Sequence, residues 1–597
     1  MSDALTKLRA ADVLSALDAQ TARMLGRLAD ERSPIVLTAL ALVSRQAQHG
    51  HVCLELSRME EQGVLGPVRI ALGQEPWESL EALRAALAGS PLVGGVGKST
   101  HERPLCFDGS DRLYLRRLYD QERAVASSIL ALAASPARRV DEAVLRHGLE
   151  QLFGSTPVKA VVAPVARATK RAARDQLDLF GGPEPTEAQP GPKPAPTTAD
   201  AAQRAAAEHA VRHRFSVVSG GPGTGKTFTV VKMLALLVEQ ARAFGEPPPK
   251  LLLLAPTGKA AARLSESVGK AKANLKVDSN VLAAITDQAS TLHRALGIRR
   301  QLSMQRASEP LAADVIVVDE ASMVDLGMME RLLAAVPEHA RLILLGDKDQ
   351  LASVEAGAVL GDICGEGANA ESGSPLARSI TTLTRSHRFA DDSAIKLLAA
   401  ATERFAPLFE GAAAERLSAL ERFRVLCAHR QGPFGVVELN RAVETALRRA
   451  GVLRDKGLSY AGRPILITEN SYEAKLWNGD VAVLAHDPVL GLRACFAHEN
   501  SPDGVRRLPL ARLPAHESVY AMSVHKSQGS EVDEVAVVLP NEDSPLLSRE
   551  LLYTAVTRAR QRVVIYAKAA TLKLCIERRV ARASGLRDAL WGPQRLV

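Results

Sequence analysis

The residues best suited to chemistry are Gly220-Gly221-Pro222-Gly223-Thr224-Gly225-Lys226-Thr227, a complete Gly-x-x-x-x-Gly-Lys-Thr phosphate loop. Its glycines let successive backbone N–H groups curl around a phosphate at the start of a helix, where the helix dipole favours negative charge. The pattern predicts that Lys226 reaches the β- and γ-phosphates of a nucleoside triphosphate and that Thr227 ligates Mg²⁺. The apolar run Phe215–Ser219 predicts a strand entering the loop, and Thr227–Leu237 an apolar-faced helix leaving it. That context makes a plain glycine-rich turn a poor alternative, so ATP and Mg²⁺ are the expected ligands.

Two further polar clusters follow apolar runs. Asp319-Glu320 closes the β-branched run Val315-Ile316-Val317-Val318, which predicts two carboxylates at the C-terminal end of a buried strand, where open α/β sheets bind ligands. Asp319 then serves the metal and Glu320 polarises the attacking water. Leu342–Leu345 leads into Gly346-Asp347-Lys348-Asp349-Gln350-Leu351, with Gln350 placed to hydrogen-bond the γ-phosphate or that water. Gly94-Gly95-Val96-Gly97-Lys98-Ser99-Thr100 imitates a second phosphate loop. However, Leu92 stands where the first glycine belongs, and Pro104 forbids a long helix behind it. It is read as a surface loop. Asp455 with Glu473-Ala474-Lys475 imitates a nuclease metal site, but the strand order around it is wrong.

The order of these segments resembles superfamily 1 helicases. Pro256-Thr257-Gly258-Lys259-Ala260-Ala261 resembles motif Ia, and Ser290-Thr291-Leu292-His293 a further strand-contacting motif. Val524-His525-Lys526-Ser527-Gln528-Gly529-Ser530-Glu531 is similar to motif V, and Tyr553-Thr554-Ala555-Val556-Thr557-Arg558-Ala559-Arg560 to motif VI. Arg388, within Leu383–Phe389, takes the place of the motif IV arginine. Arg112–Tyr119 resembles the N-terminal signature of the RecD family, the α subunits of bacterial exodeoxyribonuclease V. The resemblance implies catalytic roles for Lys226, Glu320, Gln350, Arg388 and Arg558, the two arginines acting as fingers on the γ-phosphate. It also implies adenine reading by Gln203, and DNA contacts by Thr257, Gly258, Thr291, His293, Ser523, His525 and Lys526.

Elements must hold these groups in place. Short apolar runs alternating with helical stretches after residue 200, Ile465–Thr468 among them, predict buried parallel strands. The expected fold is α/β: two RecA-like parallel-sheet motor domains, a mostly helical N-terminal domain and a small β-rich insertion. The expected divisions are a partner-docking domain at 1–115, a helical segment at 116–180, a linker at 181–200, motor domains at 201–365 and 366–597, and the insertion at about 485–518. Six prolines between Pro183 and Pro196 mark the linker.

Composition narrows the classes. The chain has 597 residues, 24% charged and 46% hydrophobic, as folded proteins do. Residues 1–200 balance at 24 basic and 24 acidic side chains, whereas the remainder carries 51 basic against 43 acidic, a bias suited to a phosphate backbone. The six scattered cysteines make no metal knuckle or disulfide framework. No apolar run suits a bilayer and the N-terminus lacks a signal-peptide core, so a cytoplasmic protein without a membrane is expected.

The resemblance implies an ATP-dependent 5′→3′ helicase acting on single-stranded and duplex-end DNA beside RecB-like and RecC-like subunits, with any nuclease in another subunit. An autonomous helicase and a nucleotide-binding scaffold are the alternatives. Finally, Gln176-Leu177-Asp178-Leu179-Phe180 matches a pattern by which bacterial proteins bind the sliding clamp.

Overall fold

The strand Phe215–Gly220 is buried along its whole length and lies second in a six-stranded, entirely parallel sheet. The sheet's order is Ile380–Leu383, Phe215–Gly220, Arg341–Gly346, Val315–Val318, Leu251–Ala255, Ala289–Thr291. Continuous runs such as Val315-Ile316-Val317-Val318, buried at every residue, suit strands covered on both faces. The computed structural model describes residues 3–95, 103–136, 139–154, 198–298, 309–365, 374–383 and 394–592, apart from 222, 354, 456, 499–500 and 581. Pro222, Arg388, the clamp-like segment Gln176–Phe180 and nearly all of the linker lie outside the described residues.

A second parallel sheet runs Ala521–Ser523, Phe423–Cys427, Val532–Val538, Ala559–Tyr566, giving the two parallel-sheet units that the alternating pattern predicts. The boundary between them differs from expectation. Ile380–Leu383 pairs with Val217–Gly220 and completes the first sheet, so that unit extends past residue 365. The helix Thr198–Arg212 likewise begins inside the stretch expected to be linker.

The insertion is larger than its turn signals suggest. Five antiparallel strands between Pro464 and Ser518 form one sheet in the order Val505–Pro509, Gly491–Ala497, Val481–Asp487, Pro464–Ile467, His516–Ser518. Pro464–Ile467 is therefore not a parallel motor strand. It pairs antiparallel on both sides, and a short apolar run cannot by itself distinguish the two environments.

The N-terminal region is mostly helical, with a four-stranded sheet of short strands between residues 53 and 115. It has its own core around Leu40, Leu54 and Met59. Yet Val52, Cys53, Cys106 and Tyr114 share the first motor's core with Phe215, Ile316 and Leu342. The C-terminal segment returns to this junction. Val52 N–H donates to the Ala583 carbonyl at 2.8 Å, Arg112 Nη1 to Asp588 at 2.7 Å, and Gly585 N–H to the buried Glu122 carboxylate at 2.9 Å. All six cysteines are buried and unpaired. No described helix is long and apolar enough to cross a membrane.

Candidate active site

The phosphate loop turns from the end of Phe215–Gly220 into the helix Lys226–Ala243. Gly225 caps that helix at φ 84°, in the left-handed region where a side chain is strained. A Cβ there would also meet Gln203 Nε2 at 2.8 Å. Gln203 itself donates to the Thr224 carbonyl at 3.2 Å, which places the expected adenine reader directly against the loop. Lys226 Nζ folds back onto the carbonyls of Gly220 (2.5 Å) and Gly221 (3.1 Å).

Asp319 and Glu320 emerge at the C-terminal end of Val315–Val318 and face the same cleft. Glu320 sits at φ 52°, a strained conformation for a residue with a side chain and one that clusters at functional sites. The Glu320 N–H donates to Asp319 Oδ1 at 2.9 Å. Burial, reinforced by the Glu320 charge, pushes the Asp319 carboxyl up to about 6 against the opposing pull of that hydrogen bond, Lys226 and Arg263. Gln350 is buried and donates to Asp347 Oδ2 at 3.0 Å.

The opposite wall comes from the second sheet's domain. Gly529, Glu531 and Arg558 line the cleft together with Gly223–Thr227, Asp319, Glu320, Asp347 and Gln350. Arg558 is 3% exposed, and its Nε donates to the Thr554 carbonyl at 3.0 Å. Burial draws its pKa below the ordinary arginine value, while Glu320 and Glu531 oppose that shift. Of the residues expected to catalyse, the structure thus gathers Lys226, Glu320, Gln350 and Arg558 in one cleft.

Arg263 also lines the cleft and was not singled out by motif. Burial lowers its pKa against the attraction of Glu531 and Glu320. The available signal was helical spacing: Ala260, Arg263, Leu264 and Ser267 fall three and four apart on the helix Gly258–Ala273 and share its cleft-facing side. Tyr553 was quoted only within its motif. A Cβ on Gly221 would come within 2.8 Å of its hydroxyl, which bonds Asp347 and, being half-buried, ionises only well above the ordinary tyrosine range.

The residues expected to contact DNA occupy comparable sheet edges. Ala255 pairs with Thr291, so Thr257-Gly258 and Thr291–His293 leave the C-terminal ends of adjacent strands. Thr257 and Thr291 each cap the helix that follows. Ser523 ends the edge strand of the second sheet, and His525 and Lys526 follow it. Burial and nearby Arg582 lower the His525 pKa, and Lys526 Nζ is paired with Glu517 at 2.7 Å.

The donors available for a cation are hard oxygens, the Thr227 hydroxyl and the Asp319 carboxylate, a set suited to Mg²⁺. Among the described residues no group of three or more His, Cys, Asp or Glu could hold a metal alone, the nuclease look-alike included. Two donors from the chain would leave the remaining positions on such a cation to water and phosphate oxygens, as is usual for Mg²⁺.

Comparison with known proteins gives three family matches: the N-terminal domain of RecBCD enzyme subunit RecD over residues 10–114, an AAA domain over 203–356, and a UvrD-like helicase C-terminal domain over 518–566. The chain is 38% identical to RecBCD enzyme subunit RecD of Mycolicibacterium smegmatis, across 97% of this chain and 98% of that one. It is 34% identical to the Haemophilus influenzae protein of the same name, across 64% and 71%. It is also 29% identical to the ATP-dependent RecD2 DNA helicase of Deinococcus radiodurans, across 95% and 70%.

Proposed function

The chain belongs to the RecD family, and from that premise we propose that it is the ATP-dependent, 5′→3′ DNA helicase subunit of a RecBCD-like complex that processes DNA ends in recombinational repair. One observation carries this reading: Arg558 from one parallel-sheet unit and Lys226, Glu320 and Gln350 from the other line a single cleft. A nucleotide bound there bridges two bodies, so that its hydrolysis can change their separation. A scaffold that only binds nucleotide needs neither the strained Glu320 nor a buried arginine on the opposite wall.

The residues divide the work. On binding, Lys226 Nζ exchanges the Gly220 and Gly221 carbonyls for the β- and γ-phosphates. Thr227 and Asp319 would hold Mg²⁺, which would supply charge neutralisation of the phosphates. Glu320 orients the attacking water and takes its proton as the oxygen–phosphorus bond forms and the bond to ADP breaks. Gln350, steadied by Asp347, reaches the γ-phosphate or that water. Arg558 stabilises the negative charge on the transferring group, and Arg388 is assigned the same task. The strand is held by Thr257, Gly258, Thr291 and His293 on one unit and by Ser523, His525 and Lys526 on the other. RecB-like and RecC-like subunits are the proposed partners, docking through residues 1–115.

ATP turnover with and without single-stranded DNA tests the reading. Lys226→Gln should nearly abolish turnover, since one preorganised donor is typically worth about 3 kcal/mol. Glu320→Gln should keep nucleotide binding while slowing hydrolysis by about 10²–10⁴. Turnover that ignores DNA, or that survives both substitutions, defeats the proposal.

A further inference from the structure

Tyr472 is 79% exposed, whereas the other exposed aromatics among the described residues, Phe228 and Phe244, reach only 37% and 36%. It lies in the insertion, on the turn between Pro464–Ile467 and Val481–Asp487, and its ring stands edge-on to Trp477 with centroids 5.2 Å apart. Trp477 is half-buried, and a Cβ on Gly258 would lie 3.2 Å from its Cγ and Cδ2. The indole therefore covers the first turn of the helix that Thr257 caps. A second contact holds the same junction: Lys259 Nζ donates to the Gly479 carbonyl at 3.0 Å. Burial, with Arg263 and Arg424 nearby, pulls the Lys259 pKa down to about 8.

The turn is fixed by hydrogen bonds, and its own charge is mixed, with Lys475 against Glu469, Glu473 and Asp480. Arg506 donates to the carbonyls of Ala474 (2.6 Å) and Lys475 (3.4 Å). Lys475 is exposed at φ 50°, and Glu473 turns to Arg512 at 3.5 Å. An exposed aromatic face on a rigid turn, adjoining the Thr257-Gly258 edge and flanked by Lys475, Arg506 and Arg512, offers a flexible single strand a π-face for a base.

We propose that Tyr472, braced by Trp477, is a base-stacking platform that grips single-stranded DNA as it passes from the first motor unit towards the insertion. This rests on the helicase reading above and adds to it a contact that senses bases as well as phosphates. Stacking predicts dependence on the presence of bases with little dependence on their sequence.

The test uses the full chain and two strands of about 15 nucleotides, one oligothymidylate and one with every base replaced by an abasic analogue. Tyr472→Ala should weaken oligothymidylate binding about tenfold and leave abasic binding unchanged. Tyr472→Phe, which keeps the π-face, should behave as the parent does. Since Tyr472 is exposed, neither substitution disturbs a core. If Tyr472→Ala weakens both strands alike or neither, the platform is overturned while DNA-stimulated turnover of the parent leaves the helicase reading standing. If the parent binds neither strand, both fall.

Discussion

The Leu351 N–H donates to Thr554 Oγ1 at 2.9 Å, and the Leu351 carbonyl accepts from Gln528 Nε2 at 3.1 Å. Both polar groups of the residue that follows Gln350 are thus held by the opposite motor unit. Thr554 is wholly buried, as is most of Leu351. The pair of bonds ties the segment carrying the cleft-lining Gln350 to the segments carrying Gln528 and Arg558, a direct mechanical route between the cleft and the second unit.

Thr554→Val keeps the side chain's shape and removes the acceptor, leaving a buried N–H unpaired at about 1–3 kcal/mol. Nucleotide affinity should stay within about threefold, while DNA-stimulated turnover falls about tenfold. Fluorescent-nucleotide titration alongside phosphate release checks this. A variant with unchanged stimulation would mean that the Leu351 bonds carry no coupling.

Arg263 lines the cleft with Glu320 and Glu531, whose charges act on it. Arg263→Ala should lower turnover about tenfold or more, as expected for loss of a preorganised cation. Arg263→Lys should recover only part, because an ammonium cannot reproduce the planar guanidinium fork. Full activity in Arg263→Ala, measured at saturating ATP and DNA, rules the residue out of the mechanism.

His51 Nδ1 accepts the Ala583 N–H at 3.0 Å, which requires an unprotonated ring nitrogen. Burial first, then Arg582, His49 and Arg45, lowers its pKa from 6.5 to about 4. Between those values the unfolded chain binds the proton and the native chain does not. Its contribution to stability is therefore present above about pH 6.5 and lost as pH falls towards about 4. Melting temperature should drop across this window, and the drop should be shallower in His51→Asn. Hydrogen exchange at Ala583 offers a local readout; exchange that does not quicken on acidification contradicts the assignment.

Removal of residues 1–115 bears on domain independence. Sequence alone suggests a detachable docking module whose loss leaves a DNA-dependent ATPase. In the structure, Val52, Cys53, Cys106 and Tyr114 are buried in the first motor's core, so their removal uncovers apolar side chains of that core, at about 1.5–3 kcal/mol for each large one. The shortened chain should melt well below the full-length protein or aggregate. Calorimetry showing a melting temperature within a few degrees of the parent would restore the detachable view.

What could be read directly from the chain was local. Gly220–Thr227 requires its residue types at consecutive positions, because the backbone itself forms the phosphate cradle. Asp319-Glu320 announces itself by the buried run before it, since a strand's C-terminal end follows it in the chain. Arg558 was legible only through its motif, because nothing in the spacing of a lone arginine says that it is buried opposite a phosphate loop more than three hundred residues away. Tertiary structure alone decided the rest. The run Ile465–Thr468 reads alike as a parallel or an antiparallel strand until its neighbours at Val481–Asp487 and His516–Ser518 are known. Ile380–Leu383 joined the first sheet through pairing with a strand some 160 residues earlier. The bonds from Leu351 to Thr554 and from His51 to Ala583 join positions separated by 203 and 532 residues. Contacts at such range are chosen by the packing of whole units, which no local pattern of residue types encodes.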